Sequence, residues 1–196
     1  LEKAGVLMSE QRDFLRRLID VLEKAGVPYM IAGSLASSFH GRPRATNDID
    51  LVIVPTESQL RRFLNILGPD YYVSEDAVWA AWNARSAFNV IDVKTGWKAD
   101  LRIRQARPFS VAEFERRQKA NILSTEVWVL SPEDAILSKL EWAKESGSAQ
   151  QAQDVLGILQ MQSEKLDKSY LWEWAEILGV RGSLEELWEK VRKELK

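Results

Sequence analysis

The sequence predicts an α/β (α+β) fold: a mixed β-sheet core flanked by helices, with a C-terminal helical lobe. Three observations carry this. Short apolar and β-branched runs alternate with amphipathic stretches through the first two thirds of the chain. Two of the runs, 48–54 and 98–104, alternate with the period of two that marks a strand with one buried face. From Pro132 onward every segment has helical spacing. The expected division is therefore a core over 1–130 and a helical lobe over 131–196, packed on the core through a soft boundary.

Each element follows in order. Ser9 is positioned to cap a first helix whose apolar residues Phe14, Leu15, Leu18, Val21, Leu22 and Ala25 recur at helical spacing, with Gly26 as its stop. Residues 27–32 read as a buried strand, followed by a Gly33-Ser34 turn and a short helix. Residues 48–54 form the next strand, which Pro55 ends. Thr56 and Gln59 make a capping box for a helix carrying Leu60, Phe63, Leu64 and Leu67. A short strand is expected at 71–73 and a helix at 76–85. Two alternating runs around Thr95-Gly96 read as a hairpin over 88–104. Ser110 and Glu113 give a capping box for a polar helix to about Ala120, and 122–130 returns to strand. Ser131-Pro132-Glu133-Asp134 is a strong helix start: cap, N1 proline and acidic first turn. Further helices are expected around Val155–Leu159, from Asp167, and from a Ser183/Glu186 box.

Composition narrows the function classes. With 45% hydrophobic and 29% charged residues and a formal charge of −2, the chain carries no global signal for nucleic acid, so polyanion contact requires a local basic patch. Zero cysteines exclude disulfides and thiolate catalysis, and one histidine makes a structural zinc site improbable. No apolar run reaches membrane-spanning length, and a cytoplasmic location with no membrane partner is expected. Leu1 is not a natural start, which makes Met8 the candidate initiator.

The chemistry concentrates in 31–54. Gly33 permits close backbone approach, and the N-terminus of the helix after it would aim free N–H groups and the positive end of a dipole at an anion such as phosphate. On the following strand Asp48 and Asp50 share a face while Ile49 and Leu51 take the other. Two carboxylates at roughly 4 Å repel by about 4 kcal/mol at an effective dielectric near 20. A divalent cation reverses that sign, and Mg²⁺ favours one or two carboxylates completed by phosphates and water. Read by itself, a Gly-Ser turn is common, and an Asp-x-Asp at a strand entrance is more often solvated or capping. Their order and separation are what raise the pair above coincidence. In the second alternating run Lys98, Asp100 and Arg102 share one face. Asp100 is the better candidate for a third carboxylate; Asp92 fits the same hydrophobic-Asp-hydrophobic pattern and remains the alternative.

Gly33-Ser34, then thirteen intervening residues, then Asp48-Ile49-Asp50, resembles the signature of the DNA polymerase β-type nucleotidyltransferase superfamily. The run Arg44-Ala45-Thr46-Asn47 is similar to the one preceding the carboxylates in small bacterial members. The C-terminal segment from Ser131 resembles that of the abortive-infection, toxin-type branch. The resemblance implies a nucleotidyltransferase-like core that transfers a nucleotide from an NTP to an acceptor hydroxyl with release of pyrophosphate. It further implies Asp48, Asp50 and Asp100 as catalytic ligands of a two-metal Mg²⁺ site. Gly33 and Ser34 would cradle phosphates, Lys139 would contact the triphosphate, and Asp154 would help orient Lys139 or the nucleotide. From the loop before the carboxylates, Arg42 and Arg44 could approach the triphosphate or an acidic acceptor. Helix-surface charge is the plain alternative for Lys139 and Asp154, and a solvated loop for Arg42 and Arg44.

Other features have structural readings. His40 is expected to be structural or exposed. Trp79 and Trp82 are a candidate stacking surface, with core packing favoured, and Arg102, Arg104, Arg107, Arg116, Arg117 and Lys119 are a basic cluster that could steer RNA or line a solvated face. The partners implied are an NTP and an acceptor, RNA or protein among them. Two rival functions remain: an idle nucleotide-binding module, and a toxin–antitoxin component whose role is to bind a partner such as an antitoxin.

Overall fold

The computed structural model describes residues 2–194, with side chains from Ser9 onward. The side chain of Met8, and with it the expectation about the initiator, lies outside the described residues. Contacts group the chain into two units. The first comprises 1–31 and 46–129, and the second 32–45 and 130–196.

The first unit holds a mixed seven-stranded sheet in the order β3-β4-β5-β2-β1-β7-β6. Its strands are β1 (Tyr29–Ile31), β2 (Asp48–Ile53), β3 (Tyr71–Tyr72), β4 (Ala87–Asp92), β5 (Lys98–Ile103), β6 (Gln118–Ile122) and β7 (Thr125–Val129). Its helices are α1 (Glu2–Ala25), α3 (Glu57–Leu67), α4 (Glu75–Ala84) and α5 (Pro108–Glu115); α2 (Gly33–His40) belongs to the second unit. The sheet has one strongly apolar face. Ile49, Leu51 and Ile53 of β2 and Ala99, Leu101 and Ile103 of β5 alternate into a core with Phe14, Leu15 and Leu18 of α1 and Leu60 and Phe63 of α3. The Phe63 and Phe88 rings meet edge to face at 6.5 Å, which fixes α3 on this face. Because strand side chains alternate, burying this set commits Asp48, Asp50, Lys98 and Asp100 to the opposite face.

The second unit is helical: α2, α6 (Pro132–Ser146), α7 (Ala149–Gln162), α8 (Lys168–Ile177) and α9 (Arg181–Glu194). Leu35 and Ala36 of α2 share its core with Ile136, Leu137 and Leu140 of α6, Val155 and Leu159 of α7, Leu171 of α8 and Leu184 of α9. His40, also buried, has Nε2 2.6 Å from the Leu130 carbonyl, and burial lowers its pKa.

Both caps at Thr56/Gln59 and Ser131/Pro132 form as their sequences require. Four boundaries differ from expectation. Ser110, read as a cap, lies inside α5, which starts at Pro108. Ser9 lies inside α1, because the residues before it continue the helix. Ser183 lies inside α9, which starts at Arg181, two residues after Gly179. The helix expected to reach Ala120 stops at Glu115, and 118–122 is instead strand β6, an edge strand paired with β7. That strand is polar and largely exposed, so it lacks the apolar alternation by which strands are recognised. The turn that makes it a hairpin, Leu123-Ser124, has both residues at positive φ, the geometry of a tight hairpin turn without the usual glycine or asparagine.

Candidate active site

In the first unit, β2 and β5 run parallel, with Asp48 opposite Lys98 and Asp50 directly opposite Asp100. Like charges facing each other across a ladder are destabilising, so this pairing needs a compensating cation. Lys98 supplies one. Its Nζ lies 3.2 Å from Asp100 Oδ2 and 3.7 Å from Asp48 Oδ1. Burial opposes the ammonium charge, but the hydrogen bond and attraction from Asp100, and then from Asp48, prevail and raise the Lys98 pKa. Asp100 Oδ1 is buried and has no hydrogen-bond partner. The strand entry is steadied from α1, where Gln11 donates to the Thr46 carbonyl at 3.0 Å.

Asp92, the alternative third carboxylate, does other work. It is buried and ion-paired with Arg17, and its Oδ1 accepts the Lys94 and Thr95 N–H groups at 2.9 Å, closing the β4–β5 turn. Asn89, not Asp92, sits opposite Asp100 on β4. Burial pushes the Asp92 carboxyl up, but the Thr95 and Lys94 N–H groups and Arg17 outweigh it and lower its pKa.

In the second unit a separate polar cluster centres on Asp154 of α7. Arg44 grips its carboxylate with two bonds, Nε to Oδ1 at 2.9 Å and Nη2 to Oδ2 at 3.1 Å. Lys139 of α6 pairs with Oδ2 at 2.8 Å, Gln150 donates to Oδ1 at 3.0 Å, and Ser37 donates to Oδ2 at 3.3 Å. Burial raises the Asp154 pKa, but these donors, led by Arg44 and Lys139, bring it down to about 2. Arg44 Nη2 also donates to the Ser34 hydroxyl, which ties the Gly-Ser turn to the cluster. Gly33 adopts φ of 57°, a conformation that favours glycine, and α2 has no side chain capping its N-terminus. Arg42 instead lines a polar cavity of about 160 Å³ with Gln153, Gln160, Lys190 and Glu194.

A close backbone approach sets this geometry. A Cβ on Gly41 would lie 2.7 Å from the Ile158 nitrogen and 2.8 Å from the Gly157 carbonyl carbon. The chain after α2 therefore lies directly on α7, one turn from Asp154, and delivers Arg44 to it. Sequence reasoning did not find the Gly41–Gly157 contact, Gln150, Ser37 or the bridging by Lys98. The only signal for the contact was a pair of glycines over a hundred residues apart.

No family model matches the sequence, and no curated protein matches it. Solved structures do. An antigenic nucleotidyltransferase-like protein from Paracoccidioides brasiliensis is similar over 92% of this chain and 93% of its own, with TM-score 0.59 and 18% identity. The solution structure of the antibiotic-resistance factor ANT(2'')-Ia is similar over 95% of this chain and 97% of its own, with TM-score 0.54 and 14% identity. The fold is that of the nucleotidyltransferases. A structure of ANT(2'')-Ia with adenylyl-2''-tobramycin is also similar, over 95% of this chain and 99% of its own, with TM-score 0.53 and 15% identity.

The nucleotidyltransferase fold raises the question whether these carboxylates suit a divalent metal. Among the described residues, no three or more His, Cys, Asp or Glu side chains converge as a metal cage. The donors nonetheless fit a hard cation of the Mg²⁺ type, which takes one or two carboxylates and completes its shell with phosphate and water. Their donor atoms are carboxylate oxygens, two of the residues are in direct register, and the buried Asp100 Oδ1 lacks a hydrogen-bond partner. Among the described residues, no helix is long and apolar enough to cross a membrane. In the basic cluster of the sequence, Arg117 stacks on Phe114 at 4.2 Å and Trp128 at 5.0 Å, Lys119 pairs with Glu126 at 2.9 Å, and Arg107 lies over Phe109 at 5.3 Å. Trp79 packs under Arg61 at 4.6 Å.

Proposed function

We propose that the protein is a metal-dependent nucleotidyltransferase that moves a nucleoside monophosphate from an NTP to an acceptor hydroxyl. The observation that carries this reading is the in-register pairing of Asp50 with Asp100 beside Asp48, all three on the sheet face that the apolar core leaves to polar groups. It is supported by the nucleotidyltransferase fold. Asp48, Asp50 and Asp100 would hold Mg²⁺, as a two-ion site, whose charge assists attack on the α-phosphorus and departure of pyrophosphate.

The chain's own residues do the rest. The Gly33 backbone and the Ser34 hydroxyl hold phosphate oxygens, as the uncapped start of α2 favours. Lys139 and Arg44, both fixed on Asp154, add positive charge for the triphosphate. Asp100, through its unpartnered Oδ1, accepts the proton of the acceptor hydroxyl. The hydroxyl oxygen then bonds to the α-phosphorus, the bond to the bridging oxygen breaks, and pyrophosphate leaves.

The test is incubation with each α-labelled NTP and Mg²⁺ in the presence of total RNA, total protein or tobramycin. Tobramycin is included because it is the adenylylated group in the ANT(2'')-Ia complex. Wild-type protein labels one acceptor class, and the Asp48→Ala/Asp50→Ala double variant labels none. A double variant that transfers as wild type would falsify the assignment. Wild-type protein that labels nothing overturns it in favour of a nucleotide-binding module.

A further inference from the structure

The carboxylate face already contains a cation of its own. Lys98 stands opposite Asp48 on the neighbouring strand and two residues from Asp100 on its own strand, so its stem rises from the same face and its ammonium reaches both carboxylates. Asp48 and Asp100 share this one ammonium, and Asp50 stands in register with Asp100. A divalent ion arriving alone must displace that ammonium, which then faces water with no anion to receive it. An ion arriving with a triphosphate brings such an anion along.

We infer that Lys98 is an internal counter-ion, exchanged for the metal, which makes the site take its metal with the nucleotide and not before it. This rests on the reading of Asp48, Asp50 and Asp100 as metal ligands. Without nucleotide, Lys98 keeps the paired carboxylates from repelling each other apart and holds them in place for the incoming ion. With nucleotide, its ammonium passes to a phosphate oxygen. Lys98 is thus a positioning residue, and its side chain gives the site an order of binding.

Mn²⁺ binding to the full chain, followed by electron paramagnetic resonance, tests this without catalysis. Lys98→Met removes the charge and keeps the stem; Lys98→Gln is a second charge-removing variant, and Lys98→Arg keeps the charge. Without nucleotide, both charge-removing variants bind Mn²⁺ at least about fivefold tighter than wild type, equivalent to about 1 kcal/mol, and Lys98→Arg binds as wild type does. With a non-hydrolysable NTP analogue present, that advantage disappears. Nucleotide-free Lys98→Met and Lys98→Gln that bind Mn²⁺ no tighter than wild type overturn the inference. A separate failure is visible in Asp48→Ala/Asp50→Ala/Lys98→Met. If this triple variant keeps the tight Mn²⁺ site, the ion does not sit on these carboxylates, and the metal assignment fails as well.

Discussion

The charged cluster on the sheet face and the one around Asp154 both pair aspartate with lysine, and they differ in burial. On the sheet face, Asp48, Lys98 and Asp100 have side chains 48%, 33% and 32% exposed, and their ion pairs are 3.2 and 3.7 Å long. Around Asp154, the carboxylate and Lys139 are only 5% and 8% exposed, and the pair closes to 2.8 Å. Partly exposed ion pairs contribute about 0–1 kcal/mol and exchange partners easily. A buried pair gains little over an apolar replacement of both partners, but losing one partner strands a charge in a poor solvent. The sheet face is therefore suited to swapping one cation for another, and the Asp154 cluster to holding Arg44 and Lys139 in one arrangement.

The comparison breaks most visibly at Asp154. Asp154→Asn leaves Lys139 and Arg44 without their counter-charge and should destabilise the protein by about 3 kcal/mol, measured by urea unfolding at neutral pH. Replacing both partners, Asp154→Leu with Lys139→Met, should recover much of that loss. The pH dependence has a definite sign. The Asp154 carboxyl is lowered from its ordinary 3.8 to about 2, so its contribution is complete above about pH 4 and lost as pH falls through 2. The advantage of wild type over Asp154→Asn should shrink across that window. An advantage that is constant from pH 5 to 2 would show that the charge of Asp154 is not what stabilises the unit.

Much of the sheet face was legible because period two is local. Burying Ile49, Leu51 and Ile53 puts Asp48 and Asp50 together on the other face, and the same rule groups Lys98 with Asp100. The register that sets Asp50 against Asp100 was not legible, since it depends on how two strands separated by α3 and α4 align. Nor was the set of partners at Asp154. Arg44 is 110 positions away, and the bond between them depends on a backbone contact rather than on any side-chain pattern. For the same reason the grouping of 32–45 with 130–196 leaves no trace in composition. Strand β6 was missed for a local reason: an exposed edge strand carries the polar residues that a helix surface also carries.

A smaller effect follows at Gly41. Its φ is −123°, so Gly41 is not in the left-handed conformation that holds Gly33. The methyl added by Gly41→Ala meets the backbone of α7 and should destabilise the second unit by about 1–3 kcal/mol through overpacking. If the glycine contact also delivers Arg44, then Gly41→Ala should weaken NTP binding, read by titration with a fluorescent analogue, while nucleotide-free Mn²⁺ binding stays at the wild-type level. Unchanged NTP affinity would separate the packing of α2 from the placing of Arg44.

The smallest effect on stability should come from the residue with the largest effect on chemistry. Asp100→Asn removes the repulsion with Asp50 and, at the same time, the 3.2 Å attraction of Lys98. The two changes oppose each other on a partly exposed face, so the unfolding free energy should move by no more than about 0.5 kcal/mol in either direction. Transfer should nevertheless fall below detection, because the amide that replaces the buried Oδ1 cannot accept the acceptor proton as a base does. A loss of more than about 2 kcal/mol would instead make Asp100 a structural carboxylate like Asp92. The contrast between an exchangeable face and a fixed cluster would then have to be redrawn with Asp100 on the fixed side.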